Sequence, residues 1–172
     1  ARNLHKCAQV IVADYGGHFP DTENVLLGLP GIGPYTAAAI AAIAFGRRAT
    51  PVDANIERVV SRIYGIEVPL PASRLKIRRC AERLTPTRRA GDFAQALMDL
   101  GSIVCRPRST NCSVCPLVSG CHAATEAKPS RYPIKPIKNK RPTRYGVVFW
   151  TVGRDGSILM SRRPENGLLG GM

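Results

Sequence analysis

Four cysteines, Cys105, Cys112, Cys115 and Cys121, stand at C-x6-C-x2-C-x5-C spacing inside a stretch of 17 residues. Four thiols in so short a loop need something to hold together. Nothing marks the chain as secreted, so paired disulfides explain them poorly. A four-thiolate zinc site or an iron–sulfur cluster explains them better, and ligand chemistry alone does not separate the two. Cys7 and Cys80 stand apart from this set. A second chemical candidate is Asp53, placed after Gly46 and Pro51 at the head of a helical pattern. A carboxylate there either caps the helix or faces a developing positive charge. A third is the turn Leu29-Pro30-Gly31-Ile32-Gly33-Pro34. Its glycines allow positive φ and close backbone approach, and Pro34 suits the first helical position. Free amides at such a helix start can hold a phosphate, although any pair of antiparallel helices needs a turn of this kind.

The elements that must position these residues are helical over the first 103 residues. Leu4, Ala8, Ile11 and Tyr15 recur at helical spacing in residues 1–15, and Gly16-Gly17 ends that run. Asp21 is placed to cap a short helix at 22–27. An alanine-rich helix is predicted at 34–45 with Gly46 as its terminator. Helices at 54–64, with Ile56, Val59, Val60 and Ile63 on one face, at 73–84 and at 89–103 complete the set. The segment 73–84 carries Arg74, Lys76, Arg78, Arg79 and Arg83 and is expected to be solvated or near phosphate. Residues 128–142 hold six basic residues, four prolines and no acid, the composition of an extended linker. Beyond it the period changes. Residues 145–152 and 157–161 are β-prone around Gly153-Arg154-Asp155-Gly156, a hairpin signal. The chain of 172 residues carries a formal net charge of +13, which points to a polyanionic partner. No apolar run approaches the roughly 20 residues that span a bilayer.

The segments LPGIGPYTA, PVDANIERVVSRIYG and 91–122 together strongly resemble the MutY-type adenine DNA glycosylases of the helix-hairpin-helix superfamily, with Gly46, Pro51 and Asp53 matching its Gly/Pro/Asp signature. The resemblance covers nearly the whole chain. It implies an all-α glycosylase domain at 1–127 with a [4Fe–4S] cluster held by Cys105, Cys112, Cys115 and Cys121, the linker at 128–142, and at 143–172 the opening of a Nudix-like domain that reads 8-oxoguanine. It also implies a fragment, lacking the front of the catalytic domain and most of the recognition domain.

The implied activity is hydrolysis of adenine mispaired with 8-oxoguanine or guanine in double-stranded DNA, after base flipping, by a monomer in the bacterial cytoplasm at the nucleoid. Asp53 would stabilise the sugar cation that develops at C1′, with Asn55 supporting it by hydrogen bonding. Tyr35 stands where bifunctional relatives place a lysine, and a phenol cannot form the Schiff base that lyase chemistry needs. Leu29, Gly31, Ile32 and Gly33 would clamp the DNA backbone, and Arg106 and Arg108 would reach phosphates from the cluster loop. The general acid of the family is a glutamate well upstream, and no acid in this chain matches it; the role of Glu57 stays open. Two alternatives remain at this point: an endonuclease III-like pyrimidine glycosylase and lyase, opposed by Tyr35, and a non-catalytic iron–sulfur DNA-binding module.

Overall fold

The structure, a computed structural model, describes residues 2–137, 142–143, 145–167 and 170–171. It forms two units, residues 1–137 and 138–172. Among the described residues of the first unit every named element is helical and there is no sheet. Helix α1 (Arg2–Tyr15) buries Cys7 and Ile11 and stops at Gly16 and Gly17. Helix α2 (Glu23–Leu26) follows, with Thr22 at its N-cap. The predicted cap, Asp21, instead pairs with Arg47, whose guanidinium holds the carboxyl below its usual pKa. An ion pair with a partner outside the helix has replaced a local cap.

Helix α3 (Pro34–Ala39) begins with proline in its first turn, as the sequence suggests. Where one α-helix is predicted to residue 45, the backbone instead widens into a π turn at Ile40–Ala44. A methyl group added to Gly91 would lie 2.5 Å from the Ala42 carbonyl oxygen at this turn, so the two backbones meet without side chains between them. Gly91→Ala must therefore push main chain. It is expected to destabilise the fold by about 1–3 kcal/mol, read as a lower thermal midpoint; an unchanged midpoint would show that the contact relaxes freely.

Helix α4 (Ala54–Ile63) has Asp53 at its N-cap and buries Ile56, Val59 and Val60. Those side chains join Ile66, Ile77 and Cys80, Ala81 and Leu97 in one apolar cluster. Helix α5 (Arg74–Leu84) and helix α6 (Ala90–Asp99) pack on α4 from two sides. Helix α6 continues into a second π turn, Leu100–Val104. A separate cluster joins α1, α2 and the alanines of α3 through Cys7, Ile11, Leu26, Leu29, Ala37, Ala38, Ala41 and Ala42. Small side chains line this seam, where α3 packs against α2.

Two short 3-10 turns, Cys112–Val114 and Val118–Gly120, lead to helix α7 (His122–Thr125). The segment after it does not leave the surface. Tyr132 is 1% exposed and donates its hydroxyl to Glu126 at 3.0 Å, while the Leu70 amide donates to the Ile134 carbonyl at 2.9 Å. Residues 129–134, predicted as linker, are held on the helical unit by an aromatic anchor.

In the second unit the Gly153-to-Gly156 turn forms as read, with the Gly153 amide donating to Ser157 O at 2.7 Å. Val152 and Ile158 form an isolated antiparallel bridge, and there is no longer strand among the described residues. The linker readings at residues 138–141 and the tail readings at Leu168, Leu169 and Met172 lie outside the described residues.

Candidate active site

The ends of α3 and α4 open onto a cleft of ≈ 360 Å³ lined by Tyr35, Thr50, Val52, Asp53, Glu57 and Arg74 among others, within the range of small-molecule sites. Asp53 reaches it from the α4 N-cap. One carboxylate oxygen, Oδ1, accepts from the Asn55 amide at 2.9 Å and the Ile56 amide at 2.7 Å. The other, Oδ2, accepts from Asn55 Nδ2 at 2.9 Å. Both oxygens are thus fixed, and the charge is aimed by the backbone rather than by a rotamer. Tyr35, 42% exposed, enters from the start of α3 and directs its hydroxyl toward Met98 Sδ at 3.8 Å. Glu57 faces Arg74 at 3.4 Å, so that carboxylate already has a cationic partner.

Behind Asp53 runs a chain of hydrogen bonds along α4. Asn55 Oδ1 accepts from Arg58 Nη2 at 2.9 Å. Arg58 also donates to Gly101 O at 2.5 Å and Cys105 O at 2.8 Å. One turn further, Arg62 is 2% exposed. It donates to Cys105 O at 3.0 Å, Arg106 O at 2.9 Å, Pro129 O at 2.7 Å and Tyr132 O at 3.2 Å. Its Nη1 also lies 3.1 Å from Cys105 Sγ. Burial, and then the neighbouring Arg62 charge, push the Arg58 pKa down.

Cys105, Cys112, Cys115 and Cys121 are all free thiols and all line one pocket, with Arg62 at its wall. This is a soft, sulfur-only cysteine set beside a buried cation, which suits a group held by thiolates. Among the described residues no three His, Cys, Asp or Glu side chains are already gathered to hold one metal ion.

A family profile described as "Helix-hairpin-helix motif" matches residues 14–43, the stretch containing the Gly31 turn. The adenine DNA glycosylase of Buchnera aphidicola subsp. Acyrthosiphon pisum is 36% identical over 154 residues, which cover 88% of this chain and 43% of the relative. The Homo sapiens adenine DNA glycosylase is 44% identical over 126 residues, covering 71% of this chain and 23% of that protein. The solved structure of a thermostable thymine-DNA glycosylase superposes with a TM-score of 0.66 at 35% identity, covering 73% of this chain and 58% of that one. The chain belongs to the helix-hairpin-helix DNA glycosylases. It spans less than half the length of these two curated relatives.

In this chain the hairpin residues divide by role. Leu29 is 4% exposed and Ile32 packs against the same cluster, so their side chains serve the core. The Ile32 amide is bonded to Leu29 O at 3.1 Å. Of the two glycines that could take positive φ, Gly31 does, at +80°, while Gly33 has φ −91°. Arg106 folds back onto Ile103 O at 3.0 Å, and Arg108 lies on a different groove from the cleft. The cleft therefore gathers Asp53 and Tyr35, with Asn55 behind it, and not the cysteine loop. Sequence reasoning missed Arg58 and Arg62. On a helical wheel both stand away from the face of Ile56, Val59, Val60 and Ile63, so the periodicity gave no signal of their burial.

Proposed function

We propose that this chain is the hairpin-and-cysteine-loop part of an adenine DNA glycosylase acting on adenine opposite 8-oxoguanine or guanine in duplex DNA. The observation that carries the reading is Asp53, with both oxygens fixed, lining a cleft that Tyr35 also lines. In the proposed reaction adenine is flipped into the cleft. A general acid protonates a ring nitrogen of adenine. The bond from the base nitrogen to C1′ then breaks, its electron pair leaving with adenine. Asp53 stabilises the cationic sugar while water adds to C1′ and gives up its second proton to solvent, leaving free adenine and an abasic site. Asn55 holds Asp53 in place, and Tyr35 offers no amine for a covalent sugar adduct. Similarity to adenine glycosylases from a bacterium and a human supports the choice of base.

The four cysteines would hold a [4Fe–4S] cluster. Bound there, it would supply a rigid, negatively charged anchor for the loop 105–121, and the Arg62 guanidinium lies 3.1 Å from Cys105 Sγ, beside where that charge would sit. Residues 143–172 are assigned to the start of a Nudix-like 8-oxoguanine-reading domain.

The test is single-turnover release of base from duplexes carrying 8-oxoguanine:A, G:A, G:T and G:U. Release of adenine from the first two is expected, and release confined to G:T or G:U would move the chain to the pyrimidine branch. Borohydride should trap no covalent adduct.

The hairpin gives a further expected result. Gly33 has ordinary backbone angles and no atom within 4 Å of an added methyl, so Gly33→Ala should fold like the parent. If phosphate approaches that backbone, the variant should weaken binding to all duplexes alike, since such contacts carry no base information. Unchanged affinity for every duplex would remove this turn from the interface.

A further inference from the structure

A groove distinct from the cleft runs between the cysteine loop and the segment after α7. Arg58 and Arg62 line it together with Arg108, Ser130, Arg131 and Lys135, and no carboxylate does. Arg58 and Arg62 are 8% and 2% exposed, so they are cations the fold holds out of water. Arg131 is matched by Glu67 at 2.7 Å. Among the described residues Arg108 and Lys135 have neither an ion pair nor a side-chain hydrogen bond. The groove thus sets Arg108 and Lys135, both without an ion pair, beside Arg131 and two buried arginines whose donors are already engaged by main-chain carbonyls. Arg108 comes from the cysteine loop, and Lys135 from a segment fixed in place by Tyr132 and Ile134. Self-repulsion of this kind is relieved by an anion, and a chain already similar to DNA glycosylases has one of matching form in the phosphate backbone.

We propose that this groove is a second phosphate-backbone site, in which Lys135 and Arg108 contact duplex DNA from opposite walls. The start of the basic proline-rich segment is then part of the DNA-binding surface as well as a connection. The inference rests on the DNA reading of the chain, in which Arg108 of the cysteine loop already faces phosphate, and adds to it Lys135 and the segment after α7 as the opposite wall. Ser130 supplies a hydroxyl donor on the same wall.

The experiment is the salt dependence of duplex affinity for the cluster-loaded chain, with Lys135→Gln and Lys135→Arg. Lys135 is surface-placed and outside the catalytic residues, so the thermal midpoint should not move. Lys135→Gln is expected to flatten the slope of log K against log salt by about 0.9, one phosphate contact. The change should be equal on undamaged and 8-oxoguanine:A duplexes, and Lys135→Arg should keep the parent slope. An unchanged slope in Lys135→Gln, or a change confined to the damaged duplex, overturns the proposal while leaving the glycosylase reading intact. If the parent chain binds no duplex at any salt, both fall together.

Discussion

Asp53→Asn is expected to lower single-turnover adenine release by roughly a hundredfold or more, because one electrostatic contact to the developing charge contributes about 3 kcal/mol. Duplex binding should stay within a few-fold of the parent, since phosphate contacts do not use that charge. The fold should survive, because asparagine caps a helix as well as aspartate does. The structure adds a second consequence. Asp53 Oδ2 accepts from Asn55 Nδ2, and Asn55 Oδ1 accepts from Arg58. With asparagine at 53 an amide NH2 placed at Oδ2 would face another NH2. Turning Asn55 over would only move the conflict to Arg58, which has no acceptor to offer. A loss of about 1 kcal/mol in stability is therefore expected beside the catalytic loss. Release within a few-fold of the parent would leave Asp53 as a helix cap and nothing more.

Cys112→Ser is expected to abolish the broad visible absorption of the loaded protein and to weaken binding of every duplex by tenfold or more. The loop that carries Arg106 and Arg108 is tied to the body at Cys105 by Arg58 and Arg62, while Cys112 and Cys115 lie at its far side around the shared pocket. Without its anchor the far side is free, and two charge-assisted phosphate contacts contribute about 1.5–3 kcal/mol each. The hairpin belongs to the other apolar cluster, with α1 to α3, so hydrogen exchange there should change little. Iron and sulfide analysis of anaerobically purified protein is the direct check on the cofactor. Stoichiometric zinc with neither iron nor sulfide would overturn the cluster assignment.

Particular residues show what the sequence disclosed. The helix boundaries at Gly16, Gly46 and Gly65 were readable because each of these positions takes positive φ, a conformation that glycine permits cheaply. Asp53 was readable as a cap because its partners lie two and three residues away. Arg62 was not, because its acceptors lie 43 to 70 residues along the chain, and a lone arginine on a helix reads as solvated. The π turns left no sequence mark either. Nothing in Ile40–Ala44 or Leu100–Val104 departs from a helical pattern, and what the widened backbones meet shows only in the close approaches of Gly91 to Ala42 and of Gly101 to Asn55. Residues 129–134 read as linker from their prolines, whereas the buried Tyr132 among them is what fastens the segment.

Arg62 also sets an order of events during synthesis. Its guanidinium is buried on α4, yet its acceptors at Cys105, Arg106, Pro129 and Tyr132 emerge from the ribosome long after α4 does. Until they arrive, burying α4 would strand a charged group with too few partners, a state that costs several kcal/mol. The α4 layer must then stay loose or wetted while roughly 70 further residues are made, a wait of several seconds at ordinary translation rates. Closure of the cysteine loop and seating of Tyr132 become the late steps in folding of residues 1–137, and the nascent chain passes through a window in which its thiols are open to whatever metal or oxidant is nearby.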